Sequence, residues 1–318
     1  MLYFMIVLSV LSTILIFVLT VTSILFFKIF WAPRKKPKDP NEYPVPKGPV
    51  YEPHREQIIK WIKDLRAMEH TDVSVNSYDG LKLCAKYYEC KKGAPIEIMF
   101  HGYKGSAERD LCGGAYRCFE IGHNALIVDQ RASCGSEGRV ITFGAKESRD
   151  CLVWIDYVLK NIDSEAEIIL TGISMGAATV MMASSMSLPK NVVGILADCG
   201  YTSTREIIKK VMRDMKLPDK LLYPFARLAA ILFGGFDPDA SSPIKSMSSC
   251  HLPIIFFHGD TDDYVPCHMS KENYDACVSE CKHLVIVPGA GHGLSFPIDM
   301  EGYFNELSNF FDPILENE

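Results

Sequence analysis

The segment Glu167-Ile168-Ile169-Leu170-Thr171-Gly172-Ile173-Ser174-Met175-Gly176-Ala177-Ala178 constrains this chain more than any other. An Ile/Leu-rich strand runs into Gly-x-Ser-x-Gly and then into a helix of small residues. A strand-to-helix turn this tight strains the backbone at the serine, and the glycines let neighbouring chain approach where a Cβ would collide. Ser174 is therefore expected to project above a sheet, with a helix N-terminus beneath it to favour developing negative charge. The five-residue motif arises by chance in roughly one chain in ten of ordinary composition. Its flanks are what give it weight.

The rest of the chain repeats that strand-and-helix rhythm. An amphipathic helix is expected over 54–69, a strand over 72–78, a turn at Asp79-Gly80 and a strand over 81–88. Strands over 96–100, 125–129, 168–171 and 192–198 then alternate with helices over 107–120, 146–161 and 177–186. This predicts a mainly parallel sheet covered on both faces. Between Gly200 and Leu252 the rhythm breaks, and a helix with an apolar face is read over 221–233. It fits either a lid over the site or a crossover helix packed on the sheet. A strand over 254–258, a helix over 270–281, a strand over 284–287 and a helix over 300–311 complete the pattern.

The 318 residues are 48% hydrophobic, enough for a large core, and the formal net charge of -6 offers no basic surface for nucleic acid. Eleven cysteines lack the paired spacings of zinc sites; Cys277 and Cys281 stand at helical i,i+4 spacing. Most of them read as reduced core residues, which fits a reducing compartment.

From Leu2 to Phe27 no side chain is charged, a run longer than the roughly 20 residues that cross a bilayer. It has neither the basic leader nor the cleavage site of a signal peptide and reads as a single membrane span. Lys28, Arg34, Lys35, Lys36 and Lys38 follow it, with Phe30 and Trp31 as interfacial anchors, so the positive-inside rule puts the remainder in the cytosol. Seven prolines between Ala32 and Pro53 predict a stiff tether without regular structure.

A serine nucleophile needs a base, and the base needs a carboxylate to fix its tautomer. In a sheet of this kind they follow later strands in the order serine, acid, histidine. His292, in Pro288-Gly289-Ala290-Gly291-His292-Gly293, is the expected base. Asp260, Asp262 and Asp263 compete for the acid, with Asp262 favoured and Asp198 a further candidate; His258 is expected to hydrogen-bond its own loop. Two backbone N–H groups must await the oxyanion. Met175, after the serine, supplies one, and Tyr103 in His101-Gly102-Tyr103-Lys104-Gly105-Ser106 supplies the other.

These segments, with Asp129-Gln130-Arg131-Ala132 and His258-Gly259-Asp260-Thr261-Asp262, resemble the serine α/β-hydrolase superfamily over about 72–311. More narrowly they resemble membrane-anchored bacterial members of the group holding serine aminopeptidase-like and BEM46-like hydrolases. Where such relatives often read Ala-His-Gly-x-Ser, this chain has Ala132-Ser133-Cys134-Gly135-Ser136, a departure outside the expected triad. The resemblance implies an α/β-hydrolase fold; with the residue readings above, the chain divides into a transmembrane anchor at 1–31, a tether at 32–53 and a hydrolase domain at 54–318, with 201–252 a candidate lid. It also implies a serine hydrolase that needs no cofactor or metal. A carboxylester or lipid-like acyl substrate leads, with peptides, amides, thioesters and acyl transfer open; a non-catalytic binding protein on the same scaffold is the contrary reading.

Overall fold

The computed structural model describes residues 1–32, 41–240 and 242–316. Eight strands, β1 (Thr71–Asn76), β2 (Lys82–Tyr88), β3 (Ile96–Phe100), β4 (Asn124–Asp129), β5 (Ile168–Ile173), β6 (Val192–Asp198), β7 (Ile254–Gly259) and β8 (Lys282–Val287), form one sheet in the order β1-β2-β4-β3-β5-β6-β7-β8. β2 runs antiparallel to β1 and β4, and every other pairing is parallel. The helices are α1 (Leu2–Leu25), α2 (Arg55–Ala67), α3 (Ala107–Glu120), α4 (Glu147–Asn161), α5 (Met175–Ala183), α6 (Thr204–Asp214), α7 (Asp219–Ala229), α8 (Pro243–Met247), α9 (His268–Ala276), α10 (Ser295–Ile298) and α11 (Met300–Leu315).

Central strands are buried on both faces, so side chains alternate between two cores. Ile98, Phe100 and Phe256 join Trp154 of α4 and Val180 of α5 on one side. Met99 and Phe257 join Trp61 of α2, Leu111 of α3 and Phe311 of α11 on the other. Because the parallel strands share a direction, the loops after β3, β5, β7 and β8 collect at one end of the sheet, where parallel α/β sheets bind ligands.

Several expectations need correction. The helix read over 270–281 stops at Ala276, and Cys277 is extended, so Cys277 and Cys281 share no helix face. As expected, all eleven thiols are free and most are core residues: Cys112, Cys118, Cys151, Cys199, Cys250 and Cys277 are buried. The helix after Ser174 starts at Met175 rather than Ala177. Residues 201–252 are helical as expected, yet α7 packs against α1 and none of the segment's described residues lines the cavity at Ser174. The segment flanks the site instead of covering it, with α7 lying against the N-terminal helix.

The N-terminal helix also changes the domain boundary. A division at residue 54 follows composition but not packing. Phe26, Phe30 and Ala32 share a third buried cluster with Phe143, Met175, Tyr223 and Val265. Trp31 bridges to Val140, Ala32 N–H donates to Arg139 O (2.8 Å) and Ile141 N–H to Phe30 O (2.8 Å). Residues 41–51 of the proline-rich segment form no helix or strand, as expected, while Glu52–His54 make a 3-10 turn, and Pro46–Tyr51 line the cavity at Ser174. Residues 33–40, including Arg34, Lys35, Lys36 and Lys38, lie outside the described residues.

Candidate active site

Ser174 ends β5 with φ 58° and ψ -115°, a conformation costly for a residue with a Cβ. Two contacts hold it there. Its N–H donates to the Asp198 carbonyl (2.8 Å), and α5 begins at the next residue. The motif's glycines permit the turn: a Cβ on Gly172 would lie 2.2 Å from the Gly176 carbonyl, and one on Gly176 would lie 1.9 Å from the Phe100 carbonyl oxygen. Neither atom could move without breaking the strand or the helix, which gives the motif its physical necessity.

The three residues expected to act together do meet. The Ser174 Oγ lies 3.0 Å from His292 Nε2, and His292 Nδ1 lies 2.7 Å from Asp262 Oδ2. An ionised Asp262 can only accept, so Nδ1 carries the proton and Nε2 offers its lone pair to the serine hydroxyl. Asp262 Oδ1 accepts from the N–H groups of Tyr264 (2.9 Å) and Val265 (2.8 Å). Burial pushes its carboxyl upward, but hydrogen bonds from His258 and His292 outweigh that and hold it well below the usual carboxylate range.

The competing acids go elsewhere. Asp260 accepts from Gly289 N–H (2.7 Å), and the Asp263 backbone carbonyl accepts from Lys210. Asp198 is buried and accepts from Ser295 (3.0 Å) and Tyr303 (3.2 Å); burial pushes its carboxyl up to about 6.

The loop after β3 lies against the serine, since a Cβ on Gly102 would sit 3.8 Å from Ser174 Oγ. Gly102 N–H donates to Asp110 Oδ2 (3.0 Å), which fixes the loop to α3. Gln130 N–H donates to His101 Nε2 (3.1 Å), so His101 Nδ1 carries its proton and donates to Gly102 O (2.8 Å). Among the described residues, the N–H groups of Tyr103 and Met175 have no hydrogen-bond partner. The Tyr103 phenol donates to Ile29 O (2.6 Å), and its ring stacks on Phe143 at 4.9 Å.

Three residues of the site went unread in the sequence. His258 is fully buried, with Nε2 2.8 Å from Val265 O and 3.3 Å from Asp262 Oδ2; its loop contact was expected, its hold on Asp262 was not. Tyr51 donates its phenol proton to His292 O (2.9 Å), and burial first among several causes pushes its pKa up, so it stays a neutral donor. Nothing in a proline-rich stretch signals that contact. Cys199, at φ 46°, brings a thiol within 4.8 Å of the ligand atoms of Asp262 and His292. Burial pushes that thiol's pKa well up, and the carboxylate and imidazole are already engaged with each other, which makes the trio a poor donor set for a metal.

A cavity of about 500 Å³ opens beside Ser174 and His292. Its walls are mostly apolar, with Val50, Ile58, Trp61, Leu111, Leu196 and Phe296 among them, and Asp198 lines it too. That volume and lining suit a small organic or lipid-like molecule.

No protein-family model matches the chain. The uncharacterized protein YqkD of Bacillus subtilis is 27% identical over 195 residues, 61% of this chain and 63% of its own length, so the chain spans under two thirds of that relative. An uncharacterized protein of Mycobacterium tuberculosis is also 27% identical, over 70% of this chain and 72% of its own. Among solved structures, the Pyrococcus furiosus esterase Pf2001 superposes with a TM-score of 0.65 at 22% identity, covering 79% of this chain and 93% of that one. The α/β hydrolase GrgF from Penicillium gives 0.61 at 18% identity (76% and 98%), and Est1E from Butyrivibrio proteoclasticus 0.58 at 20% (77% and 99%). With the strand order above, these likenesses establish that the chain has the α/β-hydrolase fold.

Proposed function

We propose that this protein is a serine hydrolase of carboxylic esters, in which Ser174 is the nucleophile, His292 the general base and acid, and Asp262 the residue that orients His292. The observation that carries the reading is the Ser174–His292–Asp262 relay, 3.0 and 2.7 Å between heavy atoms, at a strained turn that opens on a cavity. His292 Nε2 takes the hydroxyl proton as Ser174 Oγ bonds to the acyl carbon, and the carbonyl electrons move onto oxygen. The Tyr103 and Met175 N–H groups stabilise that oxyanion. The intermediate collapses, His292 gives its proton to the departing alcohol, and the acyl group stays on Ser174. Water repeats the sequence and releases the acid. No step requires a cofactor.

An ester fits better than an amide because an alkoxide leaves more readily than an amine, and the apolar cavity favours an acyl chain. The α/β hydrolases named as esterases among the structural neighbours support the same choice. The site sits on a chain whose N-terminal helix is long and apolar enough to cross a membrane, and we read it as a single span with the hydrolase domain on the cytosolic side. The full chain, solubilised in mild detergent, is expected to react with a fluorophosphonate probe at Ser174 and to lose that labelling in Ser174→Ala. Labelling that persists in the variant would remove the assignment.

A further inference from the structure

Helix α7 is apolar on both faces. Tyr223, Ala226, Ala229 and Ala230 face inward and are buried. Outward, Leu221, Pro224, Phe225, Leu228, Ile231 and Leu232 recur at helical spacing with no charge among them, and Leu221 and Leu232 are 63% and 53% exposed. A surface helix in water carries polar residues on that side. Helix α7 therefore faces something other than water.

Its neighbour identifies the occupant. Helix α7 packs on α1, and its terminal turn, 230–234, packs on residues 26–30, with Phe233 and Phe26 in edge contact at 5.4 Å. In α1 the uninterrupted exposed stretch is Leu2–Phe17, and beyond it Val18, Val21 and Thr22 are packed against the protein. That length is about 24 Å at the helical rise, against a hydrocarbon layer of about 30 Å. A complete span therefore draws in Val18, Val21 and Thr22, residues on the part of α1 that is packed rather than free. The outward stripe of α7 runs beside them and reaches the same depth.

Cations surround that level. Lys104 Nζ donates to Lys28 O (2.8 Å), the Arg139 guanidinium lies 5.8 Å over the Trp31 ring, and Lys146 Nζ donates to Gly234 O (3.4 Å). Among the described residues, none of Lys28, Lys104, Arg139 and Lys146 pairs with a carboxylate. Four cations from separate parts of the chain, set around an aromatic and apolar face, match the phosphates of an anionic bilayer surface.

We propose that the outward stripe of α7 and its terminal turn form a second membrane-contact surface, seated in an anionic phospholipid layer beside α1. The domain then does not hang from its anchor on a tether. It lies on the bilayer, with the cavity-lining Tyr103 bonded to the end of α1.

The proposal rests on α1 crossing the bilayer, and the test separates the two. The full chain is placed in vesicles of phosphatidylcholine and phosphatidylglycerol carrying brominated acyl chains. Single substitutions Ile14→Trp, Leu221→Trp, Leu232→Trp and Val278→Trp are read against the unsubstituted chain. Ile14→Trp, Leu221→Trp and Leu232→Trp are expected to lose their added emission to the brominated lipid, and Val278→Trp, on an exposed turn before β8, to keep it. Quenching at 14 with none at 221 and 232 overturns the surface; no quenching at 14 removes the span on which it rests. Adding Arg139→Gln and Lys146→Gln to Leu232→Trp should reduce quenching with phosphatidylglycerol present and leave it unchanged in phosphatidylcholine alone. Equal loss in both lipids overturns the anionic preference.

Discussion

On one side of Ser174 the protein is held by directed hydrogen bonds, on the other by apolar packing. The loops after β7 and β8 carry Asp262, which has four donors aimed at it, two of them backbone N–H groups of its own loop. Opposite, Tyr103 and Met175 rest on a cluster built from the end of α1, Phe143 and α7. Hydrogen bonds fix the angle and tautomer of each group, which proton transfer demands. Packing fixes only shape and volume, so it can be shared with the N-terminal helix. In the proposed reaction, the side that moves protons is thus set by directed bonds and the side that receives charge by packing against that helix.

The largest effect is expected at Asp262. In Asp262→Asn the side-chain oxygen can still accept from Tyr264 and Val265, which turns the amide NH₂ toward His292 Nδ1. Nδ1 must then accept, and Nε2–H points its proton at the serine it should deprotonate. A fall in kcat of about 10⁴-fold is expected, with little change in KM. A loss below tenfold would mean that the relay does not depend on the His292 tautomer.

Asp198 offers a contrast within the hydrogen-bonded side. It has only two hydroxyl donors, and burial raises its carboxyl to about 6, whereas an exposed Asp titrates near 3.9. A raised folded value means that the stability tied to the protonated form is fully present below about 3.9 and is lost as pH rises through 6. At pH 8 the ionised carboxylate costs about 3 kcal/mol. Asp198→Asn should thus stabilise the full chain in detergent by up to about that amount at pH 8 and not at pH 4, with activity nearly kept. Equal stabilisation at both values would show that charge burial is not the cause.

The same division governs what could be read from the sequence. The elbow, the β3 loop and the order Ser174, Asp262, His292 were legible because each is local: a strand, then glycine, then a residue type set by its chemistry. The strands from β3 to β7 fell within a few residues of their expected bounds for the same reason. What was not legible is distant in the chain. Tyr51 reaches His292 across 241 positions, and Tyr103 reaches Ile29 across 74. Proline-rich composition predicts absence of regular structure but not where the segment rests, and an apolar stripe in α7 predicts burial but not the partner. Those depend on which surfaces meet after the sheet has formed.

The packed side is tested at one of its directed contacts. The Tyr103 phenol donates to Ile29 O at 2.6 Å while its ring stacks on Phe143, so Tyr103→Phe removes the hydrogen bond and keeps the stack. The Ile29 carbonyl then loses a donor at the point where α1 meets the loop that carries the Tyr103 N–H. Such a bond contributes about 1 kcal/mol. If the anchor holds that loop in place for the oxyanion, the loss appears in the transition state, as a fall in kcat of roughly fivefold with KM unchanged. If packing against Phe143 suffices to hold the loop, kcat stays as it was and only thermal stability drops, and the anchor's end is then scaffold rather than part of the working site.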